Sequence, residues 1–154
     1  MHAIVNTLHD YNRYLILAAL LYVLFRSFTG MTGKKPFEKP DNTASLVLLI
    51  LSHVQLLLGL IQYFFTSAYT QAAFADMKGA MKDSLLRYFA VEHFTGMLIA
   101  IVLIHLGRTK SKKATSDPDK HKRLFTYTAI ATGIILAILG SKGIIFGNLN
   151  ANNL

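Results

Sequence analysis

The sequence predicts an all-α integral membrane protein, a four-transmembrane-helix antiparallel bundle with an amphipathic interfacial helix between spans 2 and 3. Three observations carry that prediction. Of 154 residues, 53% are hydrophobic and only 16% are charged, whereas a soluble domain has roughly 45–50% apolar and about 25% charged residues. The apolar residues fall in four blocks separated by short polar stretches. The basic residues collect on the two odd-numbered connections, as topology signals do.

The first span is expected over residues 4–28. Its uninterrupted apolar stretch, residues 14–25, covers only about 18 Å at 1.5 Å per residue, and a bilayer core near 30 Å needs roughly 20 residues. The span therefore carries His9, Asp10, Asn12 and Arg13 toward the membrane. Arg13 before an apolar run imitates a signal peptide, but no small-x-small site follows, so a retained helix is expected. A loop with Pro36 and Pro40 precedes the second span, residues 44–65, which holds His53, Gln55 and Gln62.

Residues 71–84 read as the interfacial helix. Phe74, Met77, Met81, Leu85 and Tyr88 recur at helical spacing, with Asp76, Lys78, Lys82 and Asp83 on other faces. The third span, residues 85–106, contains Arg87, Glu92, His93 and His105. A basic loop, 107–123, leads to the fourth span at 124–146, which has no histidine. There Ala129, Gly133, Ala137, Gly140, Gly143 and Gly147 form a small-residue stripe. Such a stripe lets a neighbouring helix approach closely, either within the bundle or in a homo-oligomer or membrane complex.

Charge sets the orientation. Arg26, Lys34, Lys35 and Lys39 lie in the first loop. Arg108, Lys110, Lys112, Lys113, Lys120, Lys122 and Arg123 lie in the third, against few carboxylates on that side. The positive-inside rule makes this side cytoplasmic, so both termini are expected on the periplasmic side of a bacterial inner membrane. The same placement accounts for the net charge of +8 without nucleic acid, because the basic loop has no interleaved aromatics and no binding motif. The lipid bilayer is the expected partner. There is no cysteine, which excludes disulfides, iron–sulfur clusters, cysteine-ligated zinc and c-type haem.

Ionisable groups inside spans are costly and mark functional positions. From the expected boundaries, His9 lies about 7 Å and His93 about 12 Å inside the N-terminal side, while His53 lies about 13 Å and His105 about 2 Å from the opposite side. Histidines on facing helices are what a b-type haem uses as axial ligands. The candidate cofactor-binding and iron-ligating residues are therefore His93, His53, His9 and His105. Arg13, one turn from His9, is a candidate propionate partner, with Arg108 or His121 in that role on the other side. Quinone contact fits wherever His, Arg and Tyr meet near the membrane edge. Zinc on His9 and His93 with Asp10 or Glu92 remains open, as does a structural role for each histidine. Interfacial placement, bonds to Gln55, Gln62 or a serine, or pairing with Glu92 or Arg87 would each suffice. No HExxH, GxSxG or P-loop motif occurs.

The segments LHDYNRYLIL, LSHVQLLLGLIQYFF, VEHFTGMLIAIVLIHLGR and KHKRLF resemble small four-span proteins of Bacteroidetes-type bacteria, described loosely as cytochrome-b-like. The nearest characterised class it resembles is that of cytochrome b561, whose four-helix core places paired histidines around haem b. The resemblance implies His53 with His93 or His105 as ligands. The chain departs from that class in its last helix, where only His121, just before the span, is at hand. Two functions are therefore expected: a b-type haem-binding protein exchanging electrons with quinone or a partner complex, or a cofactor-free accessory subunit of a respiratory or transport assembly.

Overall fold

In the computed structural model, which describes residues 2–145, helices account for nearly all of the chain and no strand occurs among the described residues. Four helical stretches are long and apolar enough to cross a bilayer: His2–Thr32, Lys39–Thr66, Ser84–Lys113 and Asp117–Gly140. Helix α1 (His2–Thr32) fills the first. Inside it Ser27 donates to the Val23 carbonyl at 2.6 Å and Thr29 to Phe25 at 2.9 Å, so the hydroxyls carry no unpaired hydrogen into the apolar surroundings. Helix α2 (Lys39–Ile61) opens with a capping box, with Pro40 in its first turn. The Glu38 amide donates to Asp41 Oδ2 at 2.8 Å, and Arg26 reaches the buried Asp41 from α1 at 2.8 Å.

A π-helical turn, Gln62–Thr66, ends the second span. The expected interfacial helix is broken into α3 (Ala68–Ala75) and α4 (Met77–Ala80), followed by α5 (Ser84–Arg87). Two aspartates cause the breaks. Asp76 accepts from the Gly79 amide at 2.9 Å, and Asp83 accepts from Leu85 and Leu86 at 2.8 and 2.9 Å. A short carboxylate competes with the helix interior and prefers its N-terminus. A second π-helical segment, Tyr88–His93, joins α5 to α6 (Phe94–Lys113).

Helices α6 and α7 (Asp117–Gly140) replace most of the expected basic loop. Helix α6 runs seven residues beyond its expected end, and α7 starts at a Ser116 cap with Pro118 in its first turn. Its end is also earlier than expected. Gly143, at φ +68°, reverses the chain so that the Ile144 amide meets the Leu139 carbonyl at 3.0 Å, a closure that needs a residue tolerant of the left-handed region. Residue 146 and Gly147 lie outside the described residues.

Helix α1 packs against both α2 and α7, and α7 packs against α6, closing three sides of a four-sided bundle. The fourth contact, α2 with α6, is looser. The core contains Leu20 and Val23 of α1, Leu48 of α2, Ala100 and Ile104 of α6, and Ala131, Ile135 and Leu139 of α7. The outer surface is apolar as well: Leu21 is 69% exposed, Phe25 65% and Leu57 63%. A surface of that kind suits lipid rather than water.

Close helix approach is supplied by α6 rather than by the stripe on α7. A Cβ on Gly96 would lie 2.7 Å from Ile138, and one on Gly107 would lie 2.8 Å from Tyr127. Gly133 meets nothing within 4 Å, and Ala137 and Gly140 are exposed. The stripe faces outward because the opposite face of α7, through Thr128, Ala131, Ile135 and Leu139, is the one buried.

Candidate functional site

The four span histidines meet in two pairs, each across a helix–helix boundary. His9 of α1 faces His93 at the end of the second π segment, with ring centroids 6.5 Å apart and planes at 55°. His53 of α2 faces His105 of α6, with centroids 5.9 Å apart and planes at 62°. The first pairing follows the depth match expected from the sequence. The second joins two residues whose expected depths did not match. Both helices run past their apolar blocks, α2 starting at Lys39 and α6 continuing to Lys113, so depths counted from those blocks did not set this pairing.

The pairs have different surroundings. His9 and His93 line a cavity of about 550 Å3 that occupies the loose side of the bundle. Its wall is mostly apolar, with Ile16, Met97, Ile104 and Leu139 among the lining, and its N-terminal end carries Asn6, Asp10 and Gln62. His53 and His105 are exposed and lie outside that lining, on the lipid-facing seam of α2 and α6.

Polar ties fix α1 to α2 beside the cavity. Asn12 donates to the Leu51 carbonyl at 2.9 Å and to Gln55 Oε1 at 2.7 Å, Gln55 donates to the His9 carbonyl at 3.1 Å, and Gln62 donates to Asn6 at 2.8 Å. The glutamines thus join helices and do not bind His53. Each inter-helical bond satisfies polar groups that lipid cannot.

Two of the four span imidazoles have an identifiable tautomer. His53 Nδ1 lies 2.8 Å from the Leu49 carbonyl, one turn earlier. A carbonyl only accepts, so Nδ1 carries the hydrogen, and in the neutral ring Nε2 is the bare lone pair. Near His93, Nδ1 is 3.4 Å from the hydroxyl of fully buried Tyr88, which itself donates to the Ile138 carbonyl at 3.0 Å. Sequence reading passed over Tyr88 as a residue of the interfacial helix. Its five-residue spacing from His93 is no signal in a 3.6-residue pattern, and only the π-helical register brings the two side chains together. Glu92, expected as a partner of His93, instead holds Arg87 at 2.8 Å.

Arg13 lines the cavity with its side chain 11% exposed, 3.4 Å from Asp10 and with its guanidinium 5.0 Å from the Tyr14 ring centre. Gly59 of α2 lies beside His9, where a Cβ would sit in ordinary contact, 3.7 Å, with Nε2. Aromatic contacts brace the cavity's N-terminal end. Tyr63 stacks on Phe94 at 4.4 Å and donates to the Ala90 carbonyl at 2.7 Å, and Tyr69 stacks on Phe89 at 4.7 Å. Thr70 and Gln71 of α3 close the exposed carbonyls of Tyr63 and Phe64, each at 2.7 Å. Both π segments border this region, and such segments recur at functional sites.

The remaining sequence candidates are committed elsewhere. Arg108 donates to the Asn42 carbonyl, Asn42 Oδ1 and Ser45 at the start of α2. His121 is buried against Gly30 and Phe37, with Nε2 3.3 Å from the Pro36 carbonyl, and lies away from the cavity lining. Among the described residues no three of His, Asp or Glu cluster as a zinc site requires.

No family model matches the chain, and no curated protein or solved structure is significantly similar to it. Fold and site thus define an all-helical, four-span membrane protein with two cross-helix histidine pairs.

Proposed function

We propose that this protein is a b-type cytochrome of the bacterial inner membrane, with His9–His93 and His53–His105 as two axial-ligand pairs. The observation that supports the reading most is the pairing itself. With a metal–nitrogen bond near 2 Å and about 1.1 Å from nitrogen to ring centre, two imidazoles on opposite sides of one metal lie about 6 Å apart, centre to centre. Both pairs fall close to that spacing, at 6.5 and 5.9 Å. The fixed tautomers of His53 and His93 leave Nε2 as the donor atom, which is the form an axial ligand needs.

The cavity volume lies within the roughly 300–1,000 Å3 typical of cofactor sites, and its apolar walls suit a flat macrocycle. Arg13, on that wall, is the group that would meet a propionate. Haem, when bound, supplies reversible one-electron transfer. The chain supplies the two ligand pairs, about 18 Å apart along α6 by the His93–His105 spacing. With the basic face cytoplasmic and the termini periplasmic, the pairs stand at two depths between the membrane faces, with quinone or a partner complex as the exchanging redox species.

The test is an oxidised and dithionite-reduced spectrum of detergent-purified protein from haem-sufficient cells. Two low-spin centres are expected. A preparation without a Soret band would defeat the proposal and favour the accessory subunit, docked through the outward-facing α7 stripe.

A further inference from the structure

We infer that Tyr88 is a positioning residue for His93, holding the imidazole as its Nδ1–H tautomer and tuning its strength as a donor. For any effect on a bound metal the inference rests on the cytochrome reading, but the tautomer itself does not. Donor and acceptor accounting carries it. A phenol has one hydrogen, and the hydroxyl of Tyr88 places it on the Ile138 carbonyl at 3.0 Å. That carbonyl belongs to the last turn of α7, where the helix leaves its final acceptors without an amide partner. Ser141 Oγ also donates to it at 2.8 Å, so it is occupied entirely as an acceptor. Toward His93, 3.4 Å away, Tyr88 therefore has only lone pairs to offer. The hydrogen between them belongs to His93 Nδ1, which leaves Nε2 bare on a ring that lines the cavity and faces His9.

The surroundings keep this arrangement rigid. Tyr88 is fully buried, its ring lies edge-on to Phe89 at 5.0 Å, and Lys142 Nζ stands 5.5 Å from its centre. The π-helical register brings residue 88 beside residue 93, ring centroids 5.6 Å apart. A regular α-helix would instead have set Tyr88 beside Glu92. The π segment and the buried tyrosine thus form one device, tying His93 of span 3 to the end of span 4.

The two histidine pairs then differ in how their rings are held. His53 donates to a backbone carbonyl, whereas His93 donates to a phenol oxygen that side-chain chemistry can remove. A hydrogen bond from Nδ1–H increases the basicity of Nε2 and stabilises the oxidised metal. Losing the acceptor makes the ligand a weaker donor and raises the potential.

Tyr88→Phe keeps the ring and removes only the oxygen. In haem-loaded protein, redox titration of Tyr88→Phe should show both centres retained, one midpoint raised and the other, at His53–His105, unchanged. Equal midpoints in wild type and variant, with both centres present, would overturn the inference while leaving the cytochrome reading intact. If the wild-type protein purifies without haem, that reading fails by itself. The 15N shifts of the full-length chain, labelled at histidine, then decide the tautomer. Protonated Nδ1 and bare Nε2 at His93 support the inference, and protonated Nε2 overturns it. The wild-type measurement needs no variant, so a Tyr88→Phe chain that fails to insert does not block the test.

Discussion

The cavity pair and the seam pair put the same chemistry into opposite settings. His53 and His105 stand on uninterrupted α-helix, face lipid, and need only a one-turn backbone bond at His53 to set a tautomer. His9 and His93 face a largely apolar cavity beside inter-helical amide ties, two π-helical segments and a buried tyrosine. The seam pair follows from helix geometry alone. The cavity pair needs a local departure from it, the π-helical register that sets Tyr88 beside His93.

Removing one member of each pair breaks the comparison most directly. If each pair holds a haem as proposed, His93→Ala should abolish the cavity centre and leave the seam centre, and His53→Ala should do the reverse. Each variant should show one low-spin centre in place of two, read from the reduced spectrum and from haem per chain. Loss of both centres in either single variant, with the chain still inserted, would show that the pairs do not act as separate sites.

Glycines sharpen the contrast between enclosed and lipid-facing surfaces. Leucine at Gly96 would press into Ile138 and should lower stability by about 1–3 kcal/mol, the usual cost of overpacking. Leucine at Gly133, where a Cβ meets nothing within 4 Å, should leave the monomer's thermal stability unchanged. Any loss there should appear only in the recovery of a complex. A Gly133→Leu chain that unfolds more easily than Gly96→Leu would put the close-packed face of α7 on the wrong side.

Hydropathy made the four spans legible because it follows the lipid boundary. It missed the helix ends because helices do not stop there. Residues 107–113, Gly-Arg-Thr-Lys-Ser-Lys-Lys, are polar but mostly compatible with helix, so α6 continues past its apolar block. The helix expected at 71–84 is present only in pieces, because two aspartates at cap positions divide it. His9 and His93 were matched by depth because each lay near the start of its span. Tyr88 was illegible for a different reason: its partnership with His93 exists only in a five-residue register, which no 3.6-residue pattern displays.

Arg13 should have a smaller effect than either histidine. Its guanidinium lies in the cavity wall beside Asp10, and a nearby positive charge disfavours the oxidised state of a metal centre, which carries one more positive charge. In the haem-loaded protein proposed above, Arg13→Ala should therefore lower the midpoint of the cavity centre and weaken haem retention there, leaving the seam centre unaltered in the same titration. An unchanged cavity midpoint would remove Arg13 from the site.

The smallest effect concerns the cap that starts the helix leading to His93. The Asp83 carboxyl is held below the usual carboxylate range because it accepts from the Leu86 and Leu85 amides. A depressed folded value means that the charged form contributes stability above the unfolded pKa, and that this contribution fades as pH falls through the folded value. Acidification into that range should loosen α5 and the π segment first, seen as faster amide exchange at residues 84–88. Asp83→Ala should bring the same loosening at neutral pH and flatten the acid response, because no carboxyl remains to titrate. The histidine-bearing middle of α2 should exchange at the same rate in both proteins. Equal acid sensitivity in Asp83→Ala and wild type would assign the effect to another carboxylate.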